Sequence, residues 1–480
     1  MKTIRTEVAV IGAGTAGMTG YRAAKADGKQ TLLIESNVYG TTCARVGCMP
    51  SKLLISAADA AHMLQAAPTF GVHPGAVRID GKAVMARVRN ERDRFVGFVV
   101  EGVDAFPAED KLHGHARFLS PTRLQIGDHT LVDAERFVIA TGSTPIVPDD
   151  WGAAGPRVIT SDDVFYWDDL PESVAVAGTG VIGLELGQAL HRLGVRVTVF
   201  GRGASVAQLS DPEVLDLARS GMSDELDMRF RTKLVKVEPK GDGLAITSED
   251  ANGNRQTEHF SYLLSAIGRR PNVDKLGLEH TGLERDHHGI PLYDMLTMQC
   301  GTSAIFIAGD ANDEIPLLSE AADQGRIAGD NAARWPLVRP GLRRTSLAIA
   351  FTDPQIATAG ASFAELCVTH AGRFAVGKVS FENQGRSRVM LQNSGMLRVY
   401  AEFNSGRFLG AEMIGPRAEH IGHLLAWAVQ ARMTVDAMLD MPFYHPVVEE
   451  GVRTALRDLA HRLANESIHD DPCVDCTPAP

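Results

Sequence analysis

Two stretches of the chain carry the same succession of apolar and polar positions. From Thr6 to Ile11 runs a β-branched apolar segment, the pattern of a strand buried on both faces. Gly12-Ala13-Gly14-Thr15-Ala16-Gly17 follows at once, then a helical stretch from about Met18 to Lys25. A second apolar run, Gln30 to Ile34, ends in Glu35. The succession returns with a strand at Ser173–Ala177, the turn Gly178-Thr179-Gly180-Val181-Ile182-Gly183, a helix from Leu184 to Leu193 and a strand from Val195 to Phe200.

Each glycine in such a unit has a physical task. Gly12 permits the tight turn, Gly14 lets the backbone approach a pyrophosphate, and Gly17 allows the helix to pack closely on the strand; Gly178, Gly180 and Gly183 repeat the set. The helix N-terminus favours the phosphates, and Glu35 can accept hydrogen bonds from a ribose diol. The expected fold is therefore α/β, with two Rossmann-type dinucleotide-binding domains followed by further α+β structure. Two dinucleotides in one chain are most economically a flavin (FAD) and a nicotinamide (NAD(P)), which means hydride traffic. In the second unit the place of Glu35 is taken by Gly201, followed by Arg202. Without the acid a ribose 2′-hydroxyl loses its acceptor, whereas a guanidinium can hold a 2′-phosphate. The pair leans toward NADP(H), against the alternative of a solvated loop arginine.

Between the units, a helix from Cys48 to about Gln65 and a charged one from Asp80 to Val103 are expected to form a hairpin. The Pro/Gly/Asp-rich run Thr144–Pro156 marks a boundary. At 480 residues the chain has room for roughly three domains. A net charge of −11 argues against a nucleic-acid binder, and no apolar run reaches the roughly 18 residues of a transmembrane helix. Lys2 and Arg5 precede an apolar stretch, but Glu7 interrupts it and a glycine turn follows. We read a first strand rather than an export signal and expect a cytoplasmic protein.

Six cysteines are too few and too irregularly placed for a disulfide scaffold. Cys300 and Cys367 stand alone and read as core residues, whereas Cys43 and Cys48 form a close pair. On a regular helix their Cα atoms would lie too far apart to bridge, so the segment before Cys48 must be irregular, which Gly47 makes easy. Pro50 is tolerated in the first helical turn, and Cys48 at a helix N-terminus would have its thiolate stabilised by the dipole.

The stretch Cys43-Ala44-Arg45-Val46-Gly47-Cys48-Met49-Pro50-Ser51-Lys52 resembles the redox-cysteine signature of the pyridine nucleotide–disulfide oxidoreductases, dihydrolipoamide dehydrogenase among them. Further segments are similar to that family: FVIATGSTP (Phe137–Pro145), LSAIGRRP (Leu264–Pro271), AIFIAGD (Ala304–Asp310), FTDPQIATAG (Phe351–Gly360) and Tyr444-His445-Pro446-Val447-Val448-Glu449-Glu450. The resemblance implies a redox disulfide in which Cys43 exchanges with substrate and Cys48 lies against the flavin. It implies an ion pair of Lys52 with Glu185 beside the flavin, FAD contacts from Thr141, Gly142 and Asp310, and a nicotinamide contact at Gly268. His445 is implied as the acid–base, oriented by Glu450 and reaching the partner's disulfide in a homodimer. For Glu185 a solvent-facing helix acid is the competing reading, since Leu184 and Leu186 flank it.

The layout expected is an FAD domain over 1–148, an NAD(P) domain over 149–270, a return to the FAD domain over 271–340 and an interface domain over 341–480. The function expected is disulfide oxidoreduction, dihydrolipoamide dehydrogenase first. An NADPH-dependent reductase of another disulfide or of a metal ion is the alternative, and a thiol-based redox or metal sensor is the reading from another class. The His445–Glu450 pair argues against the sensor. The substrate expected is a small dithiol or disulfide, lipoamide or a protein-bound lipoyl group, with no nucleic-acid or membrane partner and no bound metal. Ala44-Arg45 and Val447-Val448-Glu449 depart from the usual surroundings and loosen the lipoamide assignment. The C-terminal Cys473-Val474-Asp475-Cys476 loosely resembles the extra cysteine pairs of mercuric reductases and large thioredoxin reductases. An inert tail is the bland reading.

Overall fold

In the computed structural model, which describes residues 1–465, three sheets organise the chain. Lys2–Ile11 is the central strand of the first, with Thr31–Glu35 and Thr130–Ile139 parallel on either side. Its second half is almost wholly buried, as the apolar run from Thr6 predicts. Lys111–His113 extends one edge, and the antiparallel pair Ala116–Ser120 and Arg123–Ile126 extends the other. The short strand Ile305–Ile307 returns from far along the chain to pair in parallel with Thr130–Ile139.

The second sheet is parallel, in the order Asp227–Arg229, Arg196–Phe200, Ser173–Ala177, Tyr262–Ser265, Val158–Thr160. A three-stranded antiparallel sheet covers part of it, and the two-stranded ribbon of Ser143–Pro145 with Arg269–Pro271 lies where the chain passes from the first sheet to the second and back. The third sheet is antiparallel and five-stranded, running from Leu347–Ala350 to Phe374–Ser380. Helices Ala418–Gln430 and Glu450–Asn465 pack on it over a core that includes Phe381, Phe408, Leu425 and Leu456.

Both glycine-turn helices begin earlier than the apolar pattern suggests, at Thr15 and Val181 rather than Met18 and Leu184. Gly14 and Gly180, in extended conformation, are the N-caps, so the third glycine of each motif lies inside its helix. The helix Thr15–Ala26 packs against Leu318–Arg334 at glycine-limited distance. A Cβ on Gly325 would stand 2.2 Å from Ala16 O, and one on Gly329 2.2 Å from Gly20 O. The expected hairpin forms from Cys48–Ala66 and Gly81–Asp104, joined through Leu54, Ala58, Met85 and Val88. Among the described residues no helix is long and apolar enough to cross a membrane.

Candidate active site

The two glycine turns have the same stereochemistry. Gly12 sits at φ +107° and a Cβ there would lie 2.2 Å from Ala140 O; Gly178 sits at φ +117°, with 2.3 Å to Ala266 O. A Cβ on Gly17 would strike Gly12 O at 1.8 Å, and one on Gly183 would strike Gly178 O at 2.2 Å. Only the middle glycines, Gly14 and Gly180, face open space, with no atom within 4 Å of a built Cβ. That is the room a pyrophosphate needs at a helix N-terminus. Glu35 is fixed at the strand end by Ala13 N (2.8 Å) and Asn37 N (2.8 Å).

Around the first turn the later segments converge. Asp310 Oδ2 accepts from Ser143 Oγ at 2.8 Å, Ser143 Oγ accepts from Arg269 Nε at 2.8 Å, and Asn272 ties down the carbonyls of Thr141 and Gly142. Thr141 Oγ1 is buried with no hydrogen-bond partner among the described residues. Buried hydroxyls are nearly always satisfied, so this orphan fits an atom reserved for a bound flavin nucleotide. Gly142 and Gly268 both take positive φ, where the chain passes between the first and second sheets.

The cysteine segment is broken where the spacing requires it. Thr42–Val46 is one helical turn, Gly47 interrupts it, and Cys48–Ala66 starts afresh. A Cβ on Gly47 would lie 3.2 Å from Cys43 Cα, so glycine lets the two turns fold together. Thr41, held at φ +53°, caps the first turn through Oγ1 and Ala44 N. In this dithiol form Cys43 donates to the Cys48 sulfur. That hydrogen bond first, then the charge of Lys52, outweigh burial and lower Cys48 to about 7. The same hydrogen bond, with burial and the Cys48 charge, raises Cys43. Of the two thiols, Cys48 is therefore the more readily deprotonated and Cys43 the less.

Glu185 is 4% exposed and grips Lys52 Nζ with both oxygens, at 2.9 and 2.7 Å. The solvent-facing reading of this acid is therefore wrong: the helix turns Glu185 inward, onto Cys48–Ala66. Phe351 N donates to Glu185 Oε1 at 2.9 Å, and the Phe351 ring lies 4.6 Å from Lys52 Nζ. The sequence had given Phe351 no such task.

His445 and Glu450 meet as their spacing suggests, Nδ1 to Oε2 at 3.0 Å. Burial works against the Glu450 charge, but Val447 N, His445 and Arg453 outweigh it and hold the carboxyl below its usual value. With Nδ1 turned to the carboxylate, Nε2 faces outward on a side chain 79% exposed. Gln384 Nε2 fastens this loop through Val447 O at 2.8 Å.

At the second turn, Gly201 follows the strand where Glu35 stands in the first, and Arg202 is exposed. Arg231, which the sequence did not single out, sits at φ +52° with its amide bonded to Gly203 O. Its only signal is that strained backbone, invisible in the sequence. Cys300 is fully buried as expected, while Cys367 lies at the margin of a small core rather than within it. The Cys473–Cys476 pair lies outside the described residues. Among those described, no cluster of three or more His, Cys, Asp or Glu is arranged to hold a metal ion.

Two family descriptions match: pyridine nucleotide-disulphide oxidoreductase over residues 6–325, and the dimerisation domain of the same family over 347–456. Dihydrolipoyl dehydrogenase of Haloferax volcanii is 30% identical, with 97% of each chain covered. Mercuric reductase of Streptomyces lividans is 31% identical, with 96% of this chain and 98% of the relative covered. In fold, the chain is similar to LpdA from Mycobacterium tuberculosis, at TM-score 0.80 and 24% identity over 94% of this chain and 99% of that one. Matched over both its nucleotide-binding and its dimerisation parts, this chain belongs to the pyridine nucleotide-disulphide oxidoreductases, flavoproteins that work with FAD and a nicotinamide dinucleotide.

Proposed function

We propose that the protein is a dithiol–disulfide oxidoreductase of the dihydrolipoamide dehydrogenase type, working through Cys43 and Cys48 as an obligate homodimer. The observation that carries this reading is the folding of the Cys43 and Cys48 turns onto one another across Gly47, with the Lys52–Glu185 ion pair alongside and Cys48 the more acidic of the two thiols.

In the reductive direction the partner subunit's His445 takes the proton of Cys43, whose thiolate attacks the disulfide substrate. The substrate S–S bond breaks as a mixed disulfide forms, and the imidazolium returns its proton to the departing thiolate. Cys48 then attacks Cys43 Sγ, the second substrate thiolate leaves, and the chain's disulfide has formed. The reverse sequence oxidises a dithiol. Glu450 keeps the imidazole turned and steadies its charged form. FAD, when bound, supplies the two-electron exchange that joins this pair to the nicotinamide.

A lipoyl group is supported by the dihydrolipoyl dehydrogenases among the relatives. Preference for NADPH is supported by the missing acid at Gly201 and by Arg202 and Arg231 flanking the same loop. A second reading, reduction of a metal ion, has the mercuric reductases in its favour, while the His445–Glu450 pair favours disulfide exchange, whose departing thiolate needs a proton donor. Steady-state turnover with NADH and NADPH against lipoamide, glutathione disulfide and Hg²⁺ separates them. Lipoamide turnover that depends on Cys43 supports the first reading, and turnover of Hg²⁺ alone overturns it.

A further inference from the structure

The Lys52–Glu185 pair is the first rung of a longer polar ladder between two helices. Along Val181–Arg192, Glu185, Gln188 and Arg192 share one face; along Cys48–Ala66, Lys52 and Asp59 face them. Arg192, 4% exposed, makes a forked contact with Glu225 (Nε to Oε1 2.6 Å, Nη2 to Oε2 3.0 Å). It also reaches Asp59 Oδ1 at 3.3 Å and Asp353 Oδ2 at 3.1 Å.

The loop from Phe351 to Asp353 lies across both rungs. Its first residue bonds Glu185 through Phe351 N and covers Lys52 with its ring. Its last residue is gripped twice by Gln188: Asp353 N donates to Gln188 Oε1 at 2.8 Å, and Gln188 Nε2 donates to Asp353 O at 2.8 Å. The carboxylate of Asp353 is held by Arg192. One short loop from the third domain therefore clamps a helix of the first to a helix of the second, with its other end on the ion pair beside the cysteines.

We propose that Arg192 and Asp353 are positioning residues for the redox centre: they anchor the Phe351–Asp353 clamp, which holds the Lys52 ammonium in place beside Cys48. This rests on the dithiol–disulfide reading above and assigns the ladder a part in it. The groups acting on the Cys48 sulfur are Cys43 from the preceding turn, Lys52 from its own helix and Glu185 from the facing one. Of these, Lys52 favours the thiolate and Glu185 opposes it, so the balance depends on where Glu185 and the clamp set the ammonium. A charge held by a rigid fork keeps its place, and Arg192 supplies that fork.

The test uses the flavin-loaded dimer and three chains: parent, Arg192→Met and Asp353→Asn. Each is reduced with a stoichiometric dithiol under anaerobic conditions. The long-wavelength thiolate-to-flavin absorbance is titrated with pH, and the alkylation rate of Cys48 by iodoacetamide is followed over the same range. Thermal midpoints are recorded alongside. The expected result is a Cys48 titration displaced upward by about one pH unit in both variants, a roughly fivefold loss of thiolate at the parent's midpoint. Asp353→Asn, on a partly exposed side chain, carries the test if Arg192→Met does not fold. Lowered thermal midpoints with an unmoved titration make the ladder structural only and overturn the proposal. A parent without the absorbance overturns the dithiol–disulfide reading itself, which keeps the two failures apart.

Discussion

Glu185 lies within 2.7 Å of Lys52 although 133 positions separate them in the chain. The contact joins the helix after the second glycine turn to the helix after the cysteine pair, so the two nucleotide-binding units share one charged seam. The carboxylate is buried and the ammonium only half so, which makes the partners unequal. Lys52→Met strands a buried carboxylate with one remaining donor, Phe351 N, and is expected to cost about 3 kcal/mol in urea denaturation. Glu185→Gln leaves an ammonium able to turn to water and is expected to cost about 1 kcal/mol. Equal losses contradict this asymmetry.

The cysteines should titrate separately. With Cys48 lowered to about 7, its alkylation rate in the reduced protein rises as pH passes through that value and is flat above it. Because the hydrogen bond from Cys43 is the largest influence, Cys43→Ala should move the midpoint upward by more than Lys52→Met does. The linkage has a definite sign: an acid lowered on folding adds stability above its unfolded value, near 8.5, and that contribution fades as pH falls through 7. The reduced protein is thus expected to lose stability over that window relative to Cys48→Ser.

Cys43→Ser should abolish disulfide turnover while the flavin stays bound and the Cys48 thiolate still forms. Flavin absorbance after desalting checks the first point and alkylation the second. A variant that loses FAD as completely as turnover would falsify the division of roles.

The glycines of the first turn should fail in different ways. Gly12→Ala puts a methyl into Ala140 O and should prevent the turn from folding, seen as insoluble or protease-sensitive protein. Gly14→Ala meets no protein atom, so the chain should fold and lose its flavin instead. Flavin retained at parent stoichiometry in Gly14→Ala removes the pyrophosphate from that space.

Arg202→Glu is expected to lower kcat/KM for NADPH about tenfold or more, the loss of a charged hydrogen bond, and to narrow the preference over NADH. Arg231→Ala tests the second guanidinium in the same assay. Unchanged NADPH kinetics in both variants separates this loop from the 2′-phosphate.

What the sequence made legible was local: two glycine turns, a cysteine pair that a regular helix would hold too far apart to bridge, and a histidine five positions before its carboxylate. Those features depend on neighbours within a few residues, and the structure places them as the spacing requires. The links that organise the site are of another kind. Ser143 and Asp310 are 167 positions apart, and Phe351 and Glu185 166. Nothing in the periodicity of a segment says which distant amide will meet it. Glu185 left two readings open for this reason, since its leucine neighbours are as consistent with an outward acid as with one turned onto another helix, and only the family resemblance pointed to Lys52.

The late return of Ile305–Ile307 to the first sheet has a consequence for synthesis. The second sheet has all its strands once residue 265 has left the ribosome, and it can close while translation continues. The first sheet waits some forty residues more for its missing strand, and longer for the helix Leu318–Arg334 that seals Gly20 against Gly329. The first sheet with its glycine turn is therefore a late assembly made from the oldest residues of the nascent chain, and its open edge is the part that a chaperone has most reason to shield.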